Sequence, residues 1–290
     1  MNLRLIAVPY DSAIKDVRMG AGPACLLEAG LPMRLSAAGH RVEVEWVHPE
    51  TPQGEFPAEI RTAFDIARVI AERVAAAREE QALPIVLAGN CNTALGTVAG
   101  LNASDVGVLW FDAHADFNTP ETTTSGFLDG MSLAMLVGRC WAPLAETIPG
   151  FTPVAEDRVL LLGVRDVDPA ELALLSDSGV RVLAPAAVRE DLETALDRLA
   201  RTTREVYVHL DLDALDPGDG RANRFAAADG LGIDELERAL TGIARRFSVC
   251  AVAATAYDPA MDRQRRVPAA AARLLGALLA DDRAEPQLGA

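Results

Sequence analysis

The chain has 290 residues, half of them hydrophobic, with a formal net charge of −15 and a pI near 4.7. That length is enough to bury a full core, and that charge argues against a surface for nucleic acid or an anionic membrane, each of which calls for a basic patch. The expected organisation is one large α/β domain over residues 1–281 with a polar tail at 282–290, and the expected partners are small molecules.

In chain order, short β-rich runs alternate with alanine- and leucine-rich helical patterns. Strands are predicted at Leu3–Val8, Val42–Val47, Ile85–Ala88, Val106–Phe111, Val159–Leu162, Val180–Leu183, Val206–Leu212 and Val249–Ala253. Helices are predicted at Ala24–Ala38, Pro57–Gln81, Thr93–Leu101, Pro169–Ser178, Ala187–Ala200, Ile233–Arg246 and Val267–Ala280. This alternation predicts a parallel sheet covered by helices on both faces. Pro49–Pro57 reads as a surface loop, and Phe117–Gly130 is too rich in Thr, Gly and Pro to be helical. Val267–Ala280 is interrupted by Arg273 and falls short of the roughly 20 residues a bilayer span needs, so it reads as a core helix. The N-terminal run Met1–Tyr10 lacks a cleavage signature, and no signal peptide is expected. Cys25, Cys91, Cys140 and Cys250 are widely separated, which fits a reducing cytoplasm rather than a disulfide framework.

Two segments carry the chemistry. Asp112-Ala113-His114-Ala115-Asp116 follows the apolar run Val106–Phe111, and in an extended chain alternate residues project from one face. Trp110, Asp112, His114 and Asp116 are therefore expected to point the same way. Tyr207, His209, Asp211 and Asp213 repeat the pattern about a hundred residues later, with Val208, Leu210 and Leu212 on the opposite face. Crowding that many carboxylates together without a counter-charge costs several kcal/mol or forces protonation, so a cation is expected among them. Carboxylate oxygens with imidazole suit a divalent metal, and a pair of ions best accounts for the number of donors. Ligands of open α/β sheets gather beyond the carboxyl ends of the strands, where both clusters lie, as does Cys91 just after Ile85–Ala88.

The sequence resembles the arginase and agmatinase family of ureohydrolases. The marks are DAHADFNTP from Asp112 to Pro120, TTTSG from Thr122 to Gly126, GVRDVDP from Gly163 to Pro169 and DLDALDP from Asp211 to Pro217, with GAGP at Gly20–Pro23 as a weaker sign. The resemblance spans most of the chain and implies a three-layer α/β/α fold with a mostly parallel eight-stranded sheet. It also implies a dinuclear manganese(II) site that activates water for attack on a guanidinium carbon, and a homo-oligomer is compatible with it. By this likeness one metal would take Cys91, Asp112, Asp116 and Asp211, and the other Asp112, His114, Asp211 and Asp213. Asn118, Thr123, Ser125 and Asp168 match the positions that hold the α-amino and α-carboxylate groups of an amino-acid substrate.

The departures from the family pattern are specific. Ala88-Gly89-Asn90-Cys91 stands where the family reads Gly-Gly-Asp-His, so either a thiolate replaces an imidazole or Cys91 is a small buried apolar residue. With the thiolate, four aspartates and one sulfur carry −5 against +4 from two dications, leaving −1 and raising the pKa of bound water; sulfur also makes zinc or iron more plausible. Asp129 stands where arginases place a proton-shuttling histidine. It serves as a general acid only if its surroundings raise its pKa, and otherwise could attract a cationic group. Ala256 stands where arginases place the glutamate that pairs with the guanidinium, and Phe127 replaces an asparagine of the carboxylate grip. His209 reads either as a proton carrier behind the metals or as a hydrogen-bonded core histidine, and His40 and His48 need no role.

A kept amino-acid grip, a lost guanidinium anchor and a cysteine ligand resemble the Nω-hydroxy-L-arginine hydrolases within this family. The alternatives are hydrolysis of another amidino, formimino or ureido amino acid, or metal binding without turnover.

Overall fold

The computed structural model describes residues 1–49, 58–103 and 105–280. The tail expected at 282–290 lies outside the described residues, and so does the loop expected at Pro49–Pro57 apart from Pro49. The chain begins with β1 (Asn2–Val8), a small antiparallel hairpin of β2 (Tyr10–Asp11) and β3 (Ile14–Lys15), α1 (Gly22–Glu28), α2 (Leu31–Ala37) and β4 (Arg41–Trp46). There follow α3 (Glu59–Glu79), β5 (Ala82–Ala88), α4 (Ala94–Leu101), β6 (Gly107–Phe111), α5 (Ser132–Leu136) and α6 (Ala142–Ala145). The rest is β7 (Val159–Leu162), α7 (Pro169–Ser176), β8 (Arg181–Leu183), α8 (Pro185–Leu199), β9 (Glu205–Asp211), α9 (Ile233–Arg246), β10 (Ser248–Thr255) and α10 (Arg266–Leu279).

Eight strands form one sheet in the order β4-β1-β5-β10-β9-β6-β7-β8, and every pairing in it is parallel. The central strands are apolar on both faces because helices cover both. On one face Ile6, Val86, Val108 and Tyr207 pack with Ile70 and Val74 of α3 and Leu95 of α4. On the other, Leu5, Leu87, Leu109 and Val208 pack with Leu35 of α2, Leu196 of α8, Ile243 of α9 and Leu275 of α10. Each fully buried aliphatic side chain of this kind contributes about 1.5–3 kcal/mol, which is why the alternation of the strands fixes their register.

All eight predicted strands are present, their ends shifted by a few residues, and the three-layer α/β/α architecture is the one expected. Some local features differ from the sequence reading. The helix expected at Ala24–Ala38 is two helices, broken at Gly30, whose φ of 90° belongs to the left-handed region that glycine enters without strain. The β2–β3 hairpin, α5 and α6 are too short to show a period. The hairpin nonetheless matters, because it packs over the end of β5. A Cβ on Gly89 would stand 2.2 Å from the Tyr10 carbonyl oxygen, so only glycine permits that approach.

Candidate metal centre

β5, β10, β9 and β6 are neighbours in the sheet, and the segments leaving their carboxyl ends converge. β6 stops at Phe111, so Asp112–Asp116 is a loop rather than the extended segment expected, and Asp116 has a φ of 50°. That strained backbone has a local cause. The Asp116 carbonyl accepts hydrogen bonds from Leu133 N at 2.9 Å and Ala134 N at 3.1 Å, which satisfies two free N–H groups at the start of α5. β9 ends at Asp211 and turns at Leu212–Ala214, and the Asp211 carboxylate accepts from Asp213 N at 2.8 Å. Asp112 is held likewise by His114 N at 2.8 Å and Trp110 Nε1 at 3.0 Å. Asp213 accepts from Ala113 N at 3.1 Å and Asn223 Nδ2 at 3.0 Å.

Two groups of donors result, each with its ligand atoms within 4.8 Å of one another: Cys91, Asp112 and Asp116, and Asp112, His114 and Asp213. Asp211 joins the first through a 3.0 Å contact between its Oδ2 and Cys91 Sγ. His114 Nδ1 lies 3.3 Å from Asp112 Oδ1 and 3.4 Å from Asp213 Oδ2. Burial opposes a charge on this imidazole, yet the carboxylates of Asp213 and Asp112 outweigh it and hold its pKa up at about 10. Burial raises the pKa of Asp112, Asp116 and Asp211, and neighbouring carboxylates add to the effect. Asp213 goes the other way: burial opposes ionisation, but His114 and Asn223 lower its pKa overall. Burial, then the carboxylates led by Asp211, push the Cys91 thiol far up. Asp116 Oδ2 is buried with no hydrogen-bond partner, an orphaned acceptor facing this cluster. Oxygen, nitrogen and sulfur donors that raise an imidazole this far and leave a buried carboxylate oxygen unsatisfied fit divalent cations.

A cavity of about 280 Å³ opens over the two groups. Among the expected residues, Cys91, His114, Asp116, Asn118, Ser125, Asp129, Asp168, Asp211 and Asp213 line it, while Asp112 lies beneath them with 1% exposure. Thr123 does not line it; its hydroxyl accepts from Gly126 N at 3.0 Å, and Thr124 faces the cavity instead. His209 does not line it either. It is fully buried, stacked on Trp110 with ring centroids 3.6 Å apart, and hydrogen-bonded at both nitrogens, to Tyr207 at 2.7 Å and Thr255 at 3.2 Å. Burial without a carboxylate partner pushes its pKa down to about 3. Of the two roles open for His209 from sequence, its position is that of the core histidine, one layer behind the cavity.

Asp129 is held by Asn90 Nδ2 at 2.8 Å and Asn92 N at 3.0 Å, and burial raises its pKa to about 7 against those hydrogen bonds. The Asn118 side-chain oxygen accepts from Thr122 Oγ1 at 2.9 Å, which leaves its side-chain NH2 available. Glu171, the third residue of α7, accepts from Phe117 N at 2.7 Å and Asp168 N at 3.3 Å and so ties the loop after β6 to the start of α7. Met19, Phe127, Asn223, Phe225 and Ala256 also line the cavity.

The Arginase family profile matches residues 1–280. The chain belongs to the arginase family. It is 29% identical to the arginase of Brevibacillus brevis over 297 residues, covering 97% of this chain and 98% of that enzyme. The crystal structure of the arginase of Bacillus subtilis strain 168 superposes with a TM-score of 0.87 at 27% identity, covering 96% of this chain and 98% of that one. The formimidoylglutamase of the same strain shares the fold with a TM-score of 0.75 at 20% identity, over 96% and 85% of the two chains. Membership makes this an enzyme that hydrolyses C–N bonds of the guanidino or amidino type. Among the described residues no helix is long and apolar enough to cross a membrane.

Sequence reasoning also passed over residues that shape this arginase-family site from behind or at its mouth. Asn223 bridges Asp213 and the Ala256 carbonyl, and Phe225 stacks on Phe127 with centroids 5.8 Å apart. Arg165 donates to the carbonyls of Asp213 at 2.9 Å and Ala227 at 2.8 Å, pinning the loop that carries Asn223 and Phe225. Thr255 touches Cys91 Sγ at 3.2 Å. Arg165 lies within the GVRDVDP motif and Thr255 directly precedes Ala256, whereas Asn223 and Phe225 lie in a loop with no periodic signal.

Proposed function

We propose that this enzyme hydrolyses Nω-hydroxy-L-arginine to L-ornithine and hydroxyurea, using two manganese(II) ions held by Cys91, Asp112, His114, Asp116, Asp211 and Asp213. The observation that carries the reading is Ala256, which contributes a methyl group to the cavity wall where the family likeness places the partner of a guanidinium. A full guanidinium there lacks its anion, and a buried unpaired cation is costly. N-hydroxylation makes the guanidine less basic, so giving up its proton in a pocket without an anion costs less than it does for arginine.

When bound, the ions supply an activated water and a counter-charge to the acids. The amino-acid end is assigned to Asn118, Ser125 and Asp168, with Thr123 shaping the loop behind Ser125. Phe127 and Phe225 exclude water from the mouth. Asp129 keeps a proton near neutrality, since burial raises its pKa to about 7, and is assigned its delivery to the departing δ-amine.

Manganese-loaded protein is expected to release ornithine from Nω-hydroxy-L-arginine faster than from arginine. Equal rates, or no turnover of either, would sink the assignment, and release from amidino, formimino or ureido amino acids alone would move it to those substrates. Ala256→Glu restores a charge-assisted hydrogen bond worth about 1.5–3 kcal/mol, so it should raise arginine turnover relative to the hydroxylated substrate by roughly tenfold or more.

A further inference from the structure

We propose that Thr255 is a positioning residue for the sulfur of Cys91, set in place by His209 and Tyr207; this rests on the reading of Cys91 as a metal ligand. Two polar side-chain atoms adjoin Cys91 Sγ, Asp211 Oδ2 at 3.0 Å and Thr255 Oγ1 at 3.2 Å. An ionised carboxylate has no hydrogen to give. A thiolate therefore takes its side-chain hydrogen bond from the Thr255 hydroxyl.

That hydroxyl has a single hydrogen and a second neighbour, His209 Nε2 at 3.2 Å. If the hydrogen goes to sulfur, the His209 contact must run the other way, with Nε2–H donating to Thr255 Oγ1. A neutral imidazole carries one N–H, so Nδ1 is then the acceptor and takes its hydrogen from the Tyr207 hydroxyl at 2.7 Å. The charge on sulfur thus fixes the direction of three hydrogen bonds, Tyr207 to His209 to Thr255 to Cys91. Tyr207, His209 and Thr255 are fully buried and do not line the cavity, so water does not compete along the line that leads to the sulfur.

The histidine ring cannot swing away from this line. It lies 3.6 Å from the Trp110 ring at an interplanar angle of 8°, and Trp110 Nε1 donates to Asp112 Oδ2 at 3.0 Å. The register explains the arrangement, since His209 of β9 pairs with Trp110 of β6 on one side and Ala253 of β10 on the other. One buried frame therefore supports the sulfur of Cys91 and the carboxylate of Asp112. Supports of this kind orient metal ligands, and their loss typically weakens metal binding about 10- to 100-fold.

The test uses the full chain loaded with cobalt(II), whose thiolate charge-transfer absorption reports on the sulfur directly. In Thr255→Val, close in shape but without a hydroxyl, the band is expected to move to lower energy and cobalt affinity to fall about 10- to 100-fold. Thr255→Ser should keep both near the parent values. In the unmutated protein loaded instead with diamagnetic zinc(II), nitrogen NMR should find His209 protonated at Nε2, a readout that requires no variant to fold. A band and affinity that do not change in Thr255→Val, or a proton on Nδ1, overturn the support while leaving Cys91 a ligand. A parent protein with no thiolate band removes Cys91 as a ligand, and the proposal with it.

Discussion

The two donor groups that share Asp112 differ in how they meet a cation. Asp112, His114 and Asp213 contain a base among acids, and the group already favours positive charge: the carboxylates hold the His114 pKa at about 10, and His114 in turn lowers that of Asp213. Cys91, Asp112 and Asp116, with Asp211 beside them, contain acids alone, and burial raises the pKa of each. At the first group a metal displaces one proton, from His114. At the second it must displace the proton of the Cys91 thiol and compete for carboxyls whose pKa burial has raised. The count of carboxylates does not decide how ready a site is; the presence of a basic partner among them does.

The most damaging change should be Asp112→Ala, because it removes the residue common to both groups. A metal contributes several kcal/mol to such a reaction, so activity should fall by about 10³-fold or more and elemental analysis should find both ions depleted. Retention of two ions per chain would mean that the groups do not share a ligand. Next in size are Cys91→Ala and His114→Ala, each expected to lower the content from two ions toward one. If Cys91→Ala keeps both, the sulfur is a core residue and the second group is built from carboxylates alone.

A pH series sharpens the same contrast. Ligands with raised pKa values are protonated below them, so metal affinity falls as pH falls, and it falls faster where more protons must leave. Chelator competition between about pH 6 and pH 8 should therefore give a steeper slope in His114→Ala, which keeps the Cys91 group, than in Cys91→Ala, which keeps the His114 group. Equal slopes would erase the distinction between the two halves.

The layers and the donor residues that gather at the strand ends were legible in the sequence because each follows a period or a contiguous motif. Asp112, His114 and Asp116, like Asp211 and Asp213, are spaced by two, and the apolar runs before them are strands whose ends face one cavity. The reason for their convergence was not legible. Asp116 reaches the site through a left-handed backbone turn that caps α5, a five-residue helix with no detectable pattern. The mouth was harder still. Asn223 and Phe225 lie in a loop pinned by Arg165 from 62 residues away, and a long-range contact of that kind leaves no local trace. His209 shares a face with Asp211 as expected, yet the cavity begins one residue pair further along the strand, which puts the imidazole in the core.

The smallest effect is a change of sign in stability. Burial, followed by repulsion from Asp112, raises the Asp116 pKa above its unfolded value, and its Oδ2 finds no hydrogen-bond partner. As pH rises through the unfolded pKa near 3.9, the unfolded chain ionises while the folded carboxyl keeps its proton, so the metal-free protein loses stability up to the folded pKa. Asn at this position cannot ionise and escapes that loss. Metal-free Asp116→Asn should therefore melt about 2–4 °C above the parent at neutral pH, while the metal-loaded variant melts below the loaded parent because it lacks a ligand. Calorimetry with and without added manganese measures both, and a variant less stable in each condition would mean that Asp116 is held by the fold itself rather than kept for a cation.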